Sequence, residues 1–282
     1  MKFRTEIEAP RSVHRISHDD GGVMLLGSCF SDNIGLRLEA DGFEVCHNPM
    51  GPLYNPISLH SFISRLIDGY VYTEADLVYG DDRRWHALDF PLRYSGDNQT
   101  ELLERINKEC SLAADCLSRA ATVIVTFGTA WHFIAADSGK TVGNCHKFPA
   151  SYFVRRRMDS DSIVKLWSPL ARRLADSGKH LIATVSPIRH TADGLHGNQL
   201  SKATLLLAID NIPNTEYFPA YEILVDDLRD YRFYDRDLKH PSDMAVEYIY
   251  DIFSQTYFSN DTILEARSRF AASLRNAHRP LL

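Results

Sequence analysis

The sequence lacks cysteine pairs, long apolar runs and an excess of positive charge, and each absence excludes a class of protein. Its five cysteines are an odd number and form no CxxC pair, so neither a disulfide framework nor a zinc knuckle is expected. No segment approaches the roughly 20 apolar residues that a transmembrane helix needs. The net charge is -6 at pH 7. This charge gives no support to nucleic acid or an anionic membrane as a partner.

Residues 1–16 mix charges with isolated apolar residues and lack the continuous apolar core of a secretory signal. Together with the unpaired cysteines, this pattern predicts a cytoplasmic protein. Hydrophobic residues make up 44% of the chain and charged residues 24%, which is typical of a folded globular protein. No repeat, low-complexity tract or linker divides the chain, so we predict one domain over residues 1–282. The oligomeric state does not follow from the sequence.

Short apolar runs alternate with segments of helical periodicity along the chain. Strands are predicted at residues 23–26, 43–46, 121–127, 180–185 and 216–218. Helices are predicted at residues 58–66, 100–117, 160–174, 201–209 and 244–253, with a last helix that carries Ile263, Ala266 and Phe270. The alternation predicts an α/β fold, a three-layer α/β/α sandwich whose central sheet is mostly parallel.

Three segments stand apart from this alternation. Residues 70–99 are rich in aromatics, Asp and Gly, and we interpret them as an insertion or short hairpin on the ligand side of the sheet. Their rings are candidates for stacking on a sugar, or for a satellite core. The basic run at residues 155–157 is interpreted as a solvated helix face, with contact to a substrate carboxylate or phosphate as the alternative. Residues 242–282 are predicted to form a C-terminal helical segment.

The junction between the first strand and the following helix contains Gly27 and Ser28. In parallel sheets, ligands bind at the carboxyl ends of the strands, and a helix that begins there points unpaired N–H groups at the ligand. Ser28 is therefore well placed to act as a nucleophile. The alternative is that Ser28 only caps the helix, because serine is a preferred N-cap residue.

A second candidate stretch precedes a predicted helix near the end of the chain. His240 can take a proton from a serine hydroxyl and return it to a leaving group. Asp237 lies three residues earlier and can hold the far ring nitrogen of His240 across one turn. The alternative is a solvated loop in which Ser242 caps the helix and Asp237 pairs with Lys239 or Arg236.

Several stretches in this order resemble the GSCFA family, within the SGNH (GDSL-like) hydrolase superfamily. The naming motif is similar to Gly27-Ser28-Cys29-Phe30-Ser31, in which Ser31 stands in place of alanine. The other similar stretches are residues 48–56, 127–131, 143–147, 186–190, 196–202 and 237–242. The resemblance covers about residues 22–253.

The resemblance implies an SGNH-type, flavodoxin-like α/β/α sandwich with Ser28 as nucleophile, His240 as proton shuttle and Asp237 as the carboxylate that orients it. The residues themselves support the same roles, so we predict a serine esterase or O-acyl hydrolase that works through an acyl-enzyme. The expected substrate is a carbohydrate ester, such as an acetylated sugar, or another small ester. No cofactor is expected. The alternatives are an O-acyltransferase with the same triad and an inactive SGNH-fold binding protein.

The oxyanion of the tetrahedral intermediate needs N–H donors. The N–H of Ser28 is one candidate and that of Gly51 another, although Gly51 alternatively only serves a turn. The resemblance also implies a third donor, an asparagine two residues after a glycine. Here Gly128 is followed by Thr129 and Ala130, so this asparagine is missing. The candidate substitutes are Thr129, Asn55 and Asn144.

The residues give less support to two other chemistries, metal binding and a cysteine nucleophile. The loop histidines His146, His190 and His196 lack the i, i+4 spacing of a helical zinc site, so no metal is expected, and His146 is predicted as a substrate contact. Cys29 is an alternative nucleophile, because the first turn of a helix can lower the pKa of a thiol. The superfamily resemblance favours Ser28.

Overall fold

The computed structural model describes residues 4–7 and 9–277. Its strands are β1 (Gly22–Gly27), β2 (Val45–His47), β3 (Val78–Tyr79), β4 (Trp85–His86), β5 (Ser95–Gly96), β6 (Ala120–Phe127), β7 (Trp131–Ala135), β8 (Thr141–Val142), β9 (Phe153–Arg157), β10 (His180–Val185) and β11 (Thr215–Phe218). Five of them form one sheet in the order β11-β10-β6-β1-β2, and every pairing in it is parallel. The predicted parallel central sheet is confirmed.

The helices lie on both faces of this sheet. They are α1 (Cys29–Ala40), α2 (Pro56–Ile67), α3 (Gln99–Arg119), α4 (Ser160–Asp176), α5 (Gly194–Asp210), α6 (Ala220–Glu222), α7 (Asp243–Tyr257) and α8 (Asn260–Ala277), and a π-helix over Ile223–Leu228 follows α6 directly. None of the helices in the described ranges is both long and apolar enough to cross a membrane.

Alternate side chains of the strands face the two helical layers, because successive residues of a strand point to opposite faces. Met24 and Leu26 of β1 pack in a core with buried residues of α2, α3, α4 and α5. Val23 and Leu25 pack in the other core, with α1, α7 and α8. Because both faces are covered, the central strands appear in the sequence as short, nearly continuous apolar runs.

Helix α5 begins seven residues earlier than the sequence predicts, at Gly194 rather than Ser201. Five of the seven residues in its first two turns are glycine or polar, and this composition is more typical of a loop. Asn198 and Ser201 in these turns are nevertheless buried, with 4% and 2% of their surface exposed. The helix is therefore stabilised by tertiary contacts of polar side chains rather than by helix propensity.

Two small antiparallel sheets accompany the central one. The aromatic insertion forms the first, with the order β3-β4-β5. The second has the order β8-β7-β9, and its strand β9 contains the basic run that was predicted as a helix face. That prediction is wrong. Alternation places Arg155 and Arg157 on one side of the strand, where their guanidinium groups lie 4.6 and 5.9 Å from the ring centre of Trp131 on β7.

Candidate active site

The candidate site lies at the carboxyl edge of the central sheet. β1 ends at Gly27, β6 at Phe127 and β10 at Val185, and these three strands are neighbours in the sheet. The residues that follow them, Ser28, Gly128 and Ser186, therefore come together although they are far apart in sequence. This is the edge at which parallel sheets bind their ligands.

Ser28 occupies the turn between β1 and α1 and has 0% of its surface exposed. Its Oγ accepts a hydrogen bond from the Phe30 N–H at 3.3 Å, so the serine does cap the helix. The same Oγ lies 3.0 Å from the Oγ of Ser186 and donates to it. Ser28 therefore caps the helix and also contacts the residue that follows β10.

The backbone of the turn is shaped by Gly27 and Asn48. Gly27 has φ +144°, and a Cβ at this position would lie 2.3 Å from the carbonyl oxygen of Thr126. The Asn48 side chain accepts from the Gly27 N–H at 2.9 Å and donates to the Ser28 carbonyl at 3.3 Å. Asn48 thus holds both sides of the turn, a role that the sequence analysis missed.

Ser31 stands in place of the alanine of the GSCFA motif, and its hydroxyl has a hydrogen-bond partner. The residue has 1% of its surface exposed, and its Oγ donates to Thr126 Oγ1 on β6 at 2.8 Å. A buried hydroxyl without a partner would destabilise the fold. The departure from the motif is thus matched by a threonine on the neighbouring strand.

Asp237 and His240 form the predicted hydrogen-bonded pair. Nδ1 of His240 lies 2.5 Å from Oδ2 of Asp237, and the N–H groups of Lys239 and His240 donate to Oδ1 at 2.9 and 3.0 Å. These hydrogen bonds hold the pKa of Asp237 well below its usual value, so the carboxylate is ionised. Nδ1 must then be the donor, which leaves Nε2 of His240 free to accept a proton. Ser242 also caps α7, as the alternative interpretation proposed.

The loop after β10 connects the pair to the serine. Ser186 begins this loop, and three residues later the Arg189 N–H donates to the Lys239 carbonyl at 3.1 Å. The Arg189 guanidinium also donates to the Leu238 carbonyl at 3.4 Å. Within the described ranges, the hydrogen-bond partners of Ser28 Oγ are Ser186 and Phe30, and His240 is not one of them.

Gly51, one of the predicted oxyanion residues, is engaged in a local turn. Its N–H donates to the Asn48 carbonyl at 2.7 Å, and its φ of +90° suits a turn glycine. A Cβ at this position would meet the Pro91 ring at 2.7 Å. The Gly51 N–H is therefore not free for an oxyanion in this structure.

Asn55 and Thr129 are also occupied. The Asn55 side chain caps α2, since Oδ1 accepts from the Ser58 N–H at 2.9 Å and Nδ2 donates to Ser58 Oγ at 3.0 Å. Thr129 Oγ1 accepts from the Trp131 N–H and lies 3.1 Å from Ser201 Oγ. The Thr129 N–H donates to the Tyr54 carbonyl at 3.0 Å. The identity of the third oxyanion donor stays a prediction.

Asn144 and His146 lie in a cluster with the aromatic insertion. Asn144 Oδ1 accepts from the His146 N–H at 2.8 Å. The His146 ring lies 2.9 Å from Nδ1 of His86, and its Nε2 donates to the Phe90 carbonyl at 2.8 Å. Burial lowers the pKa of His146. Its predicted contact with substrate is not tested by these interactions, which use both ring nitrogens.

Cys29 does not have the properties of an activated thiol. Burial and the nearby carboxylate of Asp32 raise the pKa of Cys29, whereas a nucleophilic cysteine needs a lowered one. The structure therefore contradicts the reason for proposing Cys29 and leaves Ser28 as the better candidate.

Ser186 and Lys202 also lie at this edge and were not predicted as site residues. Lys202 on α5 has 1% of its surface exposed, and its Nζ donates to the carbonyls of Gly128 at 2.8 Å and Ser186 at 2.7 Å. Burial lowers the pKa of Lys202 to about 7. The sequence could have indicated Lys202, because three polar residues occupy positions of α5 where helical spacing predicts a buried face. The buried residues of this helix are Asn198, Ser201, Lys202, Leu205, Ala208 and Ile209.

Comparison with known proteins decides the family. The sequence model of the GSCFA family matches residues 22–253. The chain belongs to the GSCFA family. The motifs that resemble this family include the turn at Ser28, the loop that begins at Ser186, and the Asp237–His240 pair.

Among solved structures, the chain is similar to the psychrotrophic esterase EstA from Pseudoalteromonas sp., in a crystal structure inhibited by monoethylphosphonate. The identity is 12%, the match covers 84% of this chain and 96% of that chain, and the TM-score is 0.33. This TM-score is too low to support an argument about activity. The search of curated proteins found no significant match.

Proposed function

We propose that this GSCFA protein is an SGNH-type serine hydrolase that cleaves a small ester through an acyl-enzyme on Ser28. The Ser28 O–H bond breaks, Nε2 of His240 takes the proton, and Oγ forms a bond to the ester carbonyl carbon. When the tetrahedral intermediate collapses, the C–O bond to the alcohol breaks and His240 returns the proton to the alcohol. Water then releases the acid by the same steps.

The observation that carries this proposal is the Asp237–His240 pair at the carboxyl edge that holds Ser28. The ionised Asp237 accepts from Nδ1 of His240 at 2.5 Å, which fixes the tautomer that a general base needs. Arg189 binds the loop of this pair, and Ser186 at the start of the same segment contacts Ser28. The three proposed catalytic residues are therefore linked through one loop.

His190 is the other histidine near this edge and a weaker candidate for the base. Burial, with Lys202 and His240 close by, lowers the pKa of His190 to about 4. An imidazole with this pKa resists accepting a proton near pH 7. His240 instead has its Nδ1 oriented by a carboxylate, that of Asp237, at 2.5 Å.

The oxyanion donor that the structure supports best is the N–H of Ser28 itself. Ser28 is the N-cap of α1, where the backbone N–H groups have no intrahelical partners and the helix dipole favours negative charge. Such a donor stabilises the tetrahedral intermediate without any rearrangement of the backbone.

One observation favours the alternative of an inactive binding protein. Ser28 is fully buried, and its Oγ bonds to Ser186 rather than to His240. Catalytic hydrogen bonds are often loose without substrate and tighten when it binds. Activity measurements must therefore separate the two candidates.

The test uses a short-chain nitrophenyl ester and a fluorophosphonate probe on the purified full chain. We expect turnover by the wild type and one probe adduct, which peptide mapping places on Ser28. S28A should lose both, H240A and D237N should lose most of the turnover, and C29A and H190A should retain it. Turnover by S28A at the wild-type rate would refute the nucleophile assignment, and an inactive wild type that forms no adduct would favour the binding protein.

The substrate class is tested with the same variants. We propose an acetylated carbohydrate or similar small ester, and a series of acyl chain lengths and acetylated sugars should show a preference for the shortest acyl group. Transfer of the acyl group to an added sugar, rather than release of free acid, would identify an O-acyltransferase.

A further inference from the structure

Lys202 is a buried amine to which the proposed reaction assigns no role. It is one of the three polar residues on the buried face of α5, with Asn198 and Ser201, and its Nζ donates to two backbone carbonyls. One belongs to Gly128, immediately after β6, and the other to Ser186, immediately after β10. The side chain thereby joins the ends of two neighbouring strands at the carboxyl edge.

Lys202 lacks the partner that usually compensates a buried charge. In the described ranges no carboxylate lies within ion-pair distance of Nζ, which also lies 5.6 Å from the centre of the Tyr221 ring. Burying an amine in this way is costly. A residue with a stabilising role alone would be better served by an apolar side chain, so the two carbonyl contacts require another explanation.

We propose that Lys202 is a positioning residue for the nucleophile, which holds the Ser186 turn so that Ser186 Oγ stays in contact with Ser28. This inference rests on the proposed hydrolase function. When Ser28 gives its proton to His240, its Oγ can no longer donate to Ser186. The Ser186 hydroxyl then rotates and donates to Ser28 Oγ, which stabilises the negative charge that develops there. No proton is lost or gained in this rotation.

The chain offers a matched control in Lys179. Its Nζ also donates to two backbone carbonyls, those of Ser118 at 3.1 Å and Ala120 at 2.8 Å. These carbonyls lie where α3 meets β6, at the amino edge of the sheet, on the side opposite Ser28. K179M therefore removes the same type of contact without touching the proposed site.

The experiment is a double-mutant cycle of K202M and S186A, with K179M as the control. Ester turnover and the rate of fluorophosphonate labelling are measured on the full chain, and thermal unfolding shows which variants fold. We expect K202M to lower kcat about ten-fold with little change in KM, because the substrate is still bound while the nucleophile is misplaced. S186A should lower kcat by about 100-fold, since a donor to the developing charge is lost.

The cycle separates positioning from general stability. If Lys202 acts through the Ser186 hydroxyl, adding K202M to S186A should change kcat by no more than about two-fold. Multiplicative effects of the two substitutions, a K202M variant as active as K179M, or a gain of activity in S186A would each overturn the proposal. If K202M does not fold, Lys202→Gln, which keeps an N–H donor, takes its place in the cycle.

The outcome also distinguishes this proposal from the proposed function. A wild type without turnover or a Ser28 adduct removes both. A wild type whose activity depends on Ser28 but not on Lys202 removes only the positioning role.

Discussion

Lys202 should make the stability of this protein depend on pH by an amount that follows from its burial. Burial lowers its pKa from the ordinary 10.5 to about 7 in the folded state. Between these values the unfolded chain binds more protons than the folded one, so the free energy of unfolding rises with pH, by about 1.4 kcal/mol per unit. Integrated from pH 6.5 to 9, the contribution of this one group is about 2.5 kcal/mol.

The assay is urea unfolding of the wild type and K202M at several pH values from 6.5 to 9. The difference, wild type minus variant, reports mainly Lys202, because burial is a larger cause of the low pKa of His190 than Lys202 is. The pKa of His190 is about 4, and burial raises the pKa of Tyr221 above its usual 10. We expect the difference to rise by about 2.5 kcal/mol for K202M and by less for K179M, because Lys179 is only partly buried and burial lowers its pKa less.

A difference that stays constant with pH would refute this reasoning. It would mean that the carbonyls of Gly128 and Ser186 stabilise the ammonium enough to offset its burial. A difference that falls as pH rises would show that the folded state binds the proton of Lys202 more tightly than the unfolded chain does.

Substitutions at three further residues test the packing of the site. G27A should destabilise the fold by about 3 kcal/mol or more in urea unfolding, because its Cβ would lie 2.3 Å from the Thr126 oxygen at a φ of +144°; a loss below about 1 kcal/mol would show that the turn can relax. N48A should cost about 2 kcal/mol in the same assay, since the Gly27 N–H loses its partner, and N48D should cost at least as much, because it keeps this acceptor but sets a buried carboxylate oxygen against the Ser28 carbonyl. S31A restores the family's alanine but leaves Thr126 Oγ1 without its partner, so thermal unfolding should show a loss of about 1 kcal/mol. Greater stability of S31A would mean that the hydrogen bond to Thr126 does not offset the cost of burying the Ser31 hydroxyl.

The central sheet was predictable because its strands are buried on both faces. β6 was expected at residues 121–127 and lies at Ala120–Phe127, since a doubly covered strand leaves an apolar run in the sequence. The small sheet β8-β7-β9 was missed for the converse reason. Its strands are half exposed, and their arginines resemble a solvated helix face unless Trp131 is known to lie opposite.

In the candidate site, likewise, a contact between residues close in sequence was predicted and a contact between distant residues was not. Asp237 and His240 are three residues apart, so their spacing was enough to propose the pair, with a solvated loop as the alternative. Ser28 and Ser186 are separated by 158 residues, and only the strand order brings them together. No pattern within one segment can predict such a contact, because it depends on which strands are neighbours.

The sequence nevertheless indicates that α5 makes distant polar contacts, because polar residues occupy part of its buried face. Asn198, Ser201 and Lys202 occupy positions where helical spacing predicts a core, and the apolar residues of the stripe begin only at Leu205. A polar side chain on a buried stripe is costly unless it finds partners, so its presence indicates that partners exist. Here the partners are backbone groups at the strand ends, such as the Gly128 carbonyl. Polar residues at core positions of a helix that follows a parallel strand therefore indicate where the helix meets the carboxyl edge of the sheet.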